Sequence, residues 1–286
     1  MLYLVLSIFC STTNHLLFKA FGRYRINVLP AIVTNYLVCV LVGTLIMRPP
    51  VWDQVRLDAA WLPFAVVQGS LLIGSFFLMS VTTERNGVGI AALSARLSVI
   101  IPTAAAFFLY GDSAHPVKMA GIAIALVSLY LSVVERRGTV LSDQRVIHPF
   151  PVGLFLAFGV NLVLAKYVQA YHLDATAYAV YLTVSFLFAW LWGIAALVRT
   201  RARIGIRAKD LLAGGVLGVN NYGSLFFLLK TIGTPGWESS VVFPTISASV
   251  MAFSFLGGYL IFGEGITRRK LMALAIGVVA VVLINV

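Results

Sequence analysis

Acid is scarce in this chain. Its 286 residues hold 10 Asp and Glu against 21 Lys and Arg, and charged residues of both signs make up only 11% of the sequence. With 60% of residues apolar and a mean hydropathy of +0.96, a water-soluble domain could not cover its own surface, so lipid must be the solvent for most of the chain. Cysteine is scarcer still. Cys10 and Cys39 both fall in apolar segments, with no CxxC and no Cys/His cluster, which excludes a disulfide framework and a zinc site and leaves them as small core residues. There is no GxxxxGK[ST] loop to cradle a nucleotide, and HExxH, GxSxG and an intramembrane aspartate pair are missing too. No enzyme chemistry, cofactor or metal is therefore expected. A basic leader and a cleavage site are also lacking ahead of the first loop, so the segment from Leu2 is expected to stay as a helix.

What the chain does have is long apolar runs. Ten spans can be read, at approximately 2–20, 29–47, 61–81, 88–110, 117–134, 151–170, 176–198, 210–230, 238–262 and 269–285. Most approach the roughly 20 residues that a helix needs to cross a hydrocarbon core. Their backbone groups must be satisfied within each helix, which predicts an all-α membrane protein. The net charge of +11 is spread over short connections, so it marks orientation and not a nucleic-acid surface. Connections 1–2, 3–4, 5–6, 7–8 and 9–10 carry fourteen cations, from Arg23 and Arg25 through Arg199, Arg201, Arg203, Arg207 and Lys209 to Lys270. The opposite side carries four: Arg48, Arg56, Lys118 and Lys230. The positive-inside rule places the first set in the cytoplasm and both termini outside. Trp52, Trp61 and Trp237 lie near span ends and are expected at the headgroup level.

The chain also repeats itself. Asn14 and Lys19 reappear as Asn161 and Lys166, a shift of 147; Gly74-Ser75-Phe76-Phe77 finds its echo in Gly223-Ser224-Leu225-Phe226-Phe227, a shift of 149. Tyr110-Gly111-Asp112 followed by Lys118 matches Phe262-Gly263-Glu264 followed by Lys270, a shift of 152. The order is kept while the shift drifts, as two diverged copies require. The expected halves are residues 1–134 and 150–286, joined by the polar stretch 135–149. Five spans per copy force the second to enter the bilayer inverted, an architecture of secondary transporters.

Arg96 is the sharpest candidate site residue. It lies nine residues beyond Gly87, about 13 Å into a core about 30 Å thick. None of the acidic residues lies at that depth, so its guanidinium is expected to line a wet substrate path or to bond backbone carbonyls for structure. Asn14 and Asn161 are deep amides that need partners, either between helices or on a substrate. His15 and Lys19 share a helix face; Lys19 and Lys166 stand near span ends, where a long stem can snorkel. Asn220-Asn221-Tyr222 and Thr34-Asn35-Tyr36 are polar steps in spans eight and two, and at least one of the adjacent asparagines should face the bundle interior. Ser239, Ser240, Thr245, Ser247 and Ser249 make the first half of span nine hydroxyl-rich, as in a hydrated lining. Pro102 and Pro244 interrupt spans four and nine, and both are candidate gating positions together with Lys19 and Lys166. Small residues four apart, Ser70/Gly74, Gly121/Ala125, Gly214/Gly218 and Ser254/Gly258, mark faces for close helix packing.

Gly111-Asp112 and Gly263-Glu264 close spans four and nine, each with a basic residue six positions after the acid. On this pattern the chain resembles the EamA-type permeases of the drug/metabolite transporter superfamily. Lys19-Ala20-Phe21-Gly22-Arg23-Tyr24, Arg96-Leu97-Ser98-Val99-Ile100-Ile101-Pro102 and Ser239-Ser240-Val241-Val242-Phe243-Pro244 are similar to a bacterial branch of that group. The resemblance covers essentially the whole chain. It implies ten helices around a central cavity lined by spans one, three, four, six, eight and nine, and transport by alternating access. This chain departs from the pattern twice. Relatives that expel cationic drugs place a glutamate in the first span where Asn14 and His15 stand here, which argues against cation-for-proton exchange. Many relatives are drawn with both termini in the cytoplasm, the reverse of the loop charges here.

The expected function is a secondary carrier in the bacterial inner membrane for a small carboxylate-bearing metabolite, an amino acid or an organic acid. Arg96 leads its binding residues, with Asn14, His15, Asn161, Asn221, Tyr36 and Ser247. The expected partners are the lipid bilayer and the small-molecule substrate. Carriers with and without a coupling ion, and a monomer or a homodimer, fit the sequence equally. The alternatives are a flippase for a lipid-linked substrate and a non-transporting sensor or scaffold.

Overall fold

The computed structural model describes residues 1–47, 59–86, 88–133, 149–173, 177–199, 205–263 and 268–284. Eleven helices and no strand occur among them: α1 (Leu2–Arg23), α2 (Val28–Ile46), α3 (Leu62–Asn86), α4 (Val88–Leu97), α5 (Ile100–Tyr110), α6 (Pro116–Val133), α7 (Phe150–Tyr171), α8 (Tyr178–Arg199), α9 (Ala208–Ile232), α10 (Ser239–Phe262) and α11 (Arg268–Ile284). Among the described residues, eight segments are long and apolar enough to cross a membrane, one of them formed jointly by α4 and α5. Helices α6 and α11 are apolar but shorter. The chain is thus a multi-pass helical membrane protein. Trp52, Arg48, Arg56, Arg201, Arg203, Glu264 and the connecting stretch up to residue 148 lie outside the described residues.

The helices gather into two compact units, each drawing on both halves of the sequence. Unit 1 comprises Met1–Ile73 and Leu164–Thr234; unit 2 comprises Gly74–Val163 and Pro235–Val286. Helices α3 and α7 contribute to both. In unit 1, α9 packs on α2 and α1, and α2 also packs on α8. Small residues let α9 approach α2: a Cβ added at Gly218 would stand 2.6 Å from the Asn35 carbonyl oxygen, and one at Gly214 would collide with the Ala31 carbonyl. In unit 2, α6 packs on α11 through Gly121, where an added Cβ would meet Ile284 at 2.9 Å. The close-packing expectation fails at Gly74, which has nothing within 4 Å. The contact is made in unit 1 by Gly69, whose added Cβ would stand 2.5 Å from the Ser185 carbonyl oxygen.

Two further expectations are corrected. Pro102 does break its span, but Pro244 does not: α10 runs unbroken through it. Pro244 stands in the second turn, so its ring removes a bond only to Ser240 close to the helix start, where a lost N–H disturbs least. Trp61 is not a headgroup anchor. It is 8% exposed and lies edge-on to Tyr181, with ring centroids 6.3 Å apart.

Candidate functional site

In unit 1 the polar residues of three helices close on one another. Adjacent residues on a helix point about 100° apart, so Asn220 and Asn221 reach different neighbours. The Asn220 Nδ2 donates to the Cys10 carbonyl and to Asn14 Oδ1, both at 2.6 Å on α1. The Asn221 Nδ2 donates at 3.2 Å to Asn35 Oδ1 on α2. Asn14 Nδ2 donates to Ser224 Oγ at 3.2 Å, and Ser224 Oγ to the Asn221 carbonyl at 2.8 Å. Both asparagines therefore face inward. Cys39 is a core residue whose Sγ donates to the Gly218 carbonyl at 3.2 Å, a contact that depends on the glycine-lined approach of α9. Asn35 Nδ2 is buried with no hydrogen-bond partner among the described residues. Tyr36 is fully buried in a row of rings, 6.0 Å from Phe186, which lies 6.0 Å from Tyr222. A network of neutral amides like this one joins helices without placing charge in lipid.

Lys166 folds inward instead of snorkelling. Its Nζ donates to Gln169 Oε1 at 2.8 Å and to the carbonyl of Ile232 at 2.9 Å. Ile232 ends α9, where carbonyls lack intrahelical partners and a cation is favoured by the helix dipole. Gln169 Nε2 in turn donates to Tyr178 Oη at 3.0 Å. On α1, His15 is exposed and Lys19 half-buried.

Unit 2 holds Arg96. It stands in the last turn of α4, half-buried, and no hydrogen bond or ion pair reaches its side chain from the described residues. Two residues further on the helix breaks. Pro102 has no N–H to offer the Ser98 carbonyl, which takes the Ile101 N–H at 3.0 Å in a tighter turn, and α5 starts afresh at Ile100. The Ser98 and Thr103 hydroxyls bond the Ala95 and Val99 carbonyls, both at 2.7 Å. Asn161 is buried on α7 and Ser247 is half-buried on α10, while Ser239 and Ser240 at the start of α10 are buried.

The Gly-Asp pair that closes span four acquires a structural role. Gly111 ends α5 at φ 67°, a left-handed turn that suits glycine, and Asp112 Oδ2 then accepts the Ser240 N–H at 2.7 Å at the start of α10. Next to it, Lys118 is 7% exposed and forms an ion pair with Glu238, while its Nζ also donates to the Ser113 carbonyl and Oγ at 2.8 Å. Burial would raise the Glu238 carboxyl, but hydrogen bonds from Lys118 and Ser113 and the Lys118 charge outweigh it and hold the group below the ordinary carboxylate range. Reading Lys118 as a loop charge missed this pair, because its partner is 120 residues away in sequence. A cation at the third position of an apolar helix was the available signal.

Among the described residues no cluster of His, Cys, Asp and Glu could hold a metal ion. No protein-family model matches the chain. A protein of Haemophilus influenzae described only as uncharacterized is 22% identical over 285 residues, covering 97% of this chain and 95% of that one. A solved crystal structure superposes with a TM-score of 0.75 at 17% identity, covering 99% of this chain and 94% of its own. The two share a fold.

Of the residues expected at a binding site, unit 1 brings Asn14 and Asn221 together through Ser224, and buries Tyr36 near them on α2. Arg96, Asn161, Ser247, Pro102 and Pro244 belong to unit 2. Asn220, Asn35 and Ser224 complete the amide network.

Proposed function

We propose that the chain is a bacterial inner-membrane secondary carrier of the drug/metabolite transporter type, built from ten spans in two inverted halves, which moves a small carboxylate-bearing metabolite by alternating access. The observation that carries this reading is Arg96, a guanidinium at membrane depth beside a helix break, with no partner among the described residues. A cation there costs about 2.5–3.5 kcal/mol on an insertion scale. A substrate carboxylate offsets that cost, and its two oxygens match the planar fork of the guanidinium. Broken helices at this depth are characteristic of solute sites, because free backbone groups are tolerated only where protein or water satisfies them. Two features support the inverted halves. Helices at equivalent places in the repeats pack on one another: α2 on α8 in unit 1, and α5 on α10 and α6 on α11 in unit 2. Gly111 and Gly263 end equivalent spans in the same left-handed turn, at φ 67° and 66°.

The test is a thermal-shift screen of the purified protein against amino acids, organic acids, amines and sugars. A ligand that binds the folded state raises its melting temperature by mass action. The expected result is a rise with a carboxylate-bearing compound that disappears in Arg96→Ala. A rise only with amines or sugars, or one that persists in Arg96→Ala, contradicts the proposal.

A further inference from the structure

Where α1 ends and α9 begins, a groove of about 380 Å³ opens between the two helices of unit 1. Its walls are apolar, with Leu17, Phe21, Tyr24, Leu212 and Val216 among them, and Lys209 is the charged group in the lining. Tyr24, Leu212 and Val216 are 63%, 71% and 58% exposed, so the slot is open along its length to whatever surrounds the helices. Both helices are long and apolar enough to cross a membrane, so their surroundings are acyl chains and the groove's charged mouth lies at the level of the headgroups.

The same end carries exposed Arg23, Arg25 and Arg207. Two of these cations are pinned over the end of α1: Lys209 Nζ donates to the Tyr24 carbonyl at 2.7 Å, and Arg207 Nη2 to the Arg25 carbonyl at 2.8 Å. The neighbouring acid compensates one of them. Asp210 is fully buried, accepts the Asn27 N–H at 2.8 Å and the Arg207 N–H at 3.0 Å, and pairs with the Arg207 guanidinium through Nε at 3.2 Å, which leaves Arg23, Arg25 and Lys209 as the cations it does not hold. Arg25 itself holds φ at 50°, a conformation in which glycine would be unstrained, and yet the position is basic. An apolar slot with a positive mouth at the membrane surface fits one kind of occupant.

We propose that this groove seats an acyl chain of an anionic phospholipid, with the lipid phosphate over Lys209, Arg23 and Arg25. The chain fills the apolar walls, and the cations recognise the phosphate as basic clusters at helix ends recognise anionic headgroups. The site is independent of what the carrier moves.

The test uses the full chain in detergent, with phosphatidylglycerol and phosphatidylcholine of matched acyl chains, and native mass spectrometry to count retained lipids. Phosphatidylglycerol should be retained several-fold over phosphatidylcholine. Lys209→Gln should lower that ratio about fivefold, the worth of one basic residue near an anionic surface. Because Lys209 also holds the Tyr24 carbonyl, a second pair guards against misfolding. Leu212→Glu places a carboxylate at the mouth and should abolish the preference, whereas Leu212→Gln should keep it. Equal retention of the two lipids by the unaltered protein, or an unchanged ratio in Leu212→Glu, overturns the proposal. So does displacement of the lipid by millimolar sn-glycerol 3-phosphate, which would assign the cations to a free phosphate and leave the groove without an occupant.

Discussion

In unit 1 the inward polar side chains are held by one another or by a helix end, the amides across α1, α2 and α9 and Lys166 by Gln169 and the Ile232 carbonyl, whereas in unit 2 Lys118 is held by Glu238 and Arg96 by nothing among the described residues. The contrast separates two uses of polarity in an apolar bundle. Asn14, Asn220, Asn221 and Asn35 bond one another across α1, α2 and α9 and fix their register, with Asn35 Nδ2 left without a partner among the described residues. Arg96 has no partner among the described residues, and the proposed substrate carboxylate would supply one. Lys118, near the start of α6, is charged like Arg96 but held like the amides, so burial and charge alone do not mark a substrate residue.

The largest structural effect should come from the approach that sets the unit 1 network. In Gly218→Ala the new Cβ would meet the Asn35 carbonyl oxygen at 2.6 Å, and a backbone atom cannot swing aside. A loss of about 3 kcal/mol is expected, the upper end for overpacking, read as a fall in melting temperature. An unchanged melting temperature would mean that α9 does not rest on α2 through this glycine.

Lys118→Met should cost about 2 kcal/mol, because a charged hydrogen bond to a partly buried acid is lost. It should also alter the acid limb of stability. The folded Glu238 carboxyl lies below its ordinary range, so its contribution is present above the unfolded value and is lost as pH falls through the folded one. Melting temperatures measured from neutral to acid pH should therefore drop less steeply in Lys118→Met than in the unaltered protein. Parallel curves would show that the pair is not formed.

Asn220→Ala should have the smallest effect, about 1 kcal/mol, in the range of single hydrogen bonds between membrane helices. Solute uptake by the folded variant should persist. Loss of uptake with an unchanged melting temperature would move the amide network from structure to substrate binding.

Much of this was legible in the sequence because lipid imposes simple demands. Apolar runs near the length of the core became helices, and the span holding Pro102 breaks because its missing N–H leaves the Ser98 carbonyl to a tighter turn with Ile101. The polar steps at Thr34-Asn35-Tyr36 and Asn220-Asn221-Tyr222 were visible, but their pairing was not, since it depends on how α9 slides along α2. Pro244 and Pro102 look alike as letters, but Pro102 falls in the middle of its apolar span and Pro244 in the second turn of its own. Lys118 and Trp61 were misplaced for a common reason: each stands near a span end, where sequence favours the interface, and each has a partner from a distant segment, Glu238 and Tyr181, that draws it inside.

The central claim is that Arg96 is held open for a substrate. Its most direct test is uptake into proteoliposomes by Arg96→Ala, with the melting temperature taken on the same preparation and the carboxylate compound identified by thermal shift as the solute. The account predicts a fall in uptake of at least about a hundredfold, consistent with losing a charge-assisted contact to the solute, with a melting temperature close to that of the unaltered protein. A variant that melts far lower but still transports when folded would make Arg96 a structural residue and contradict the account.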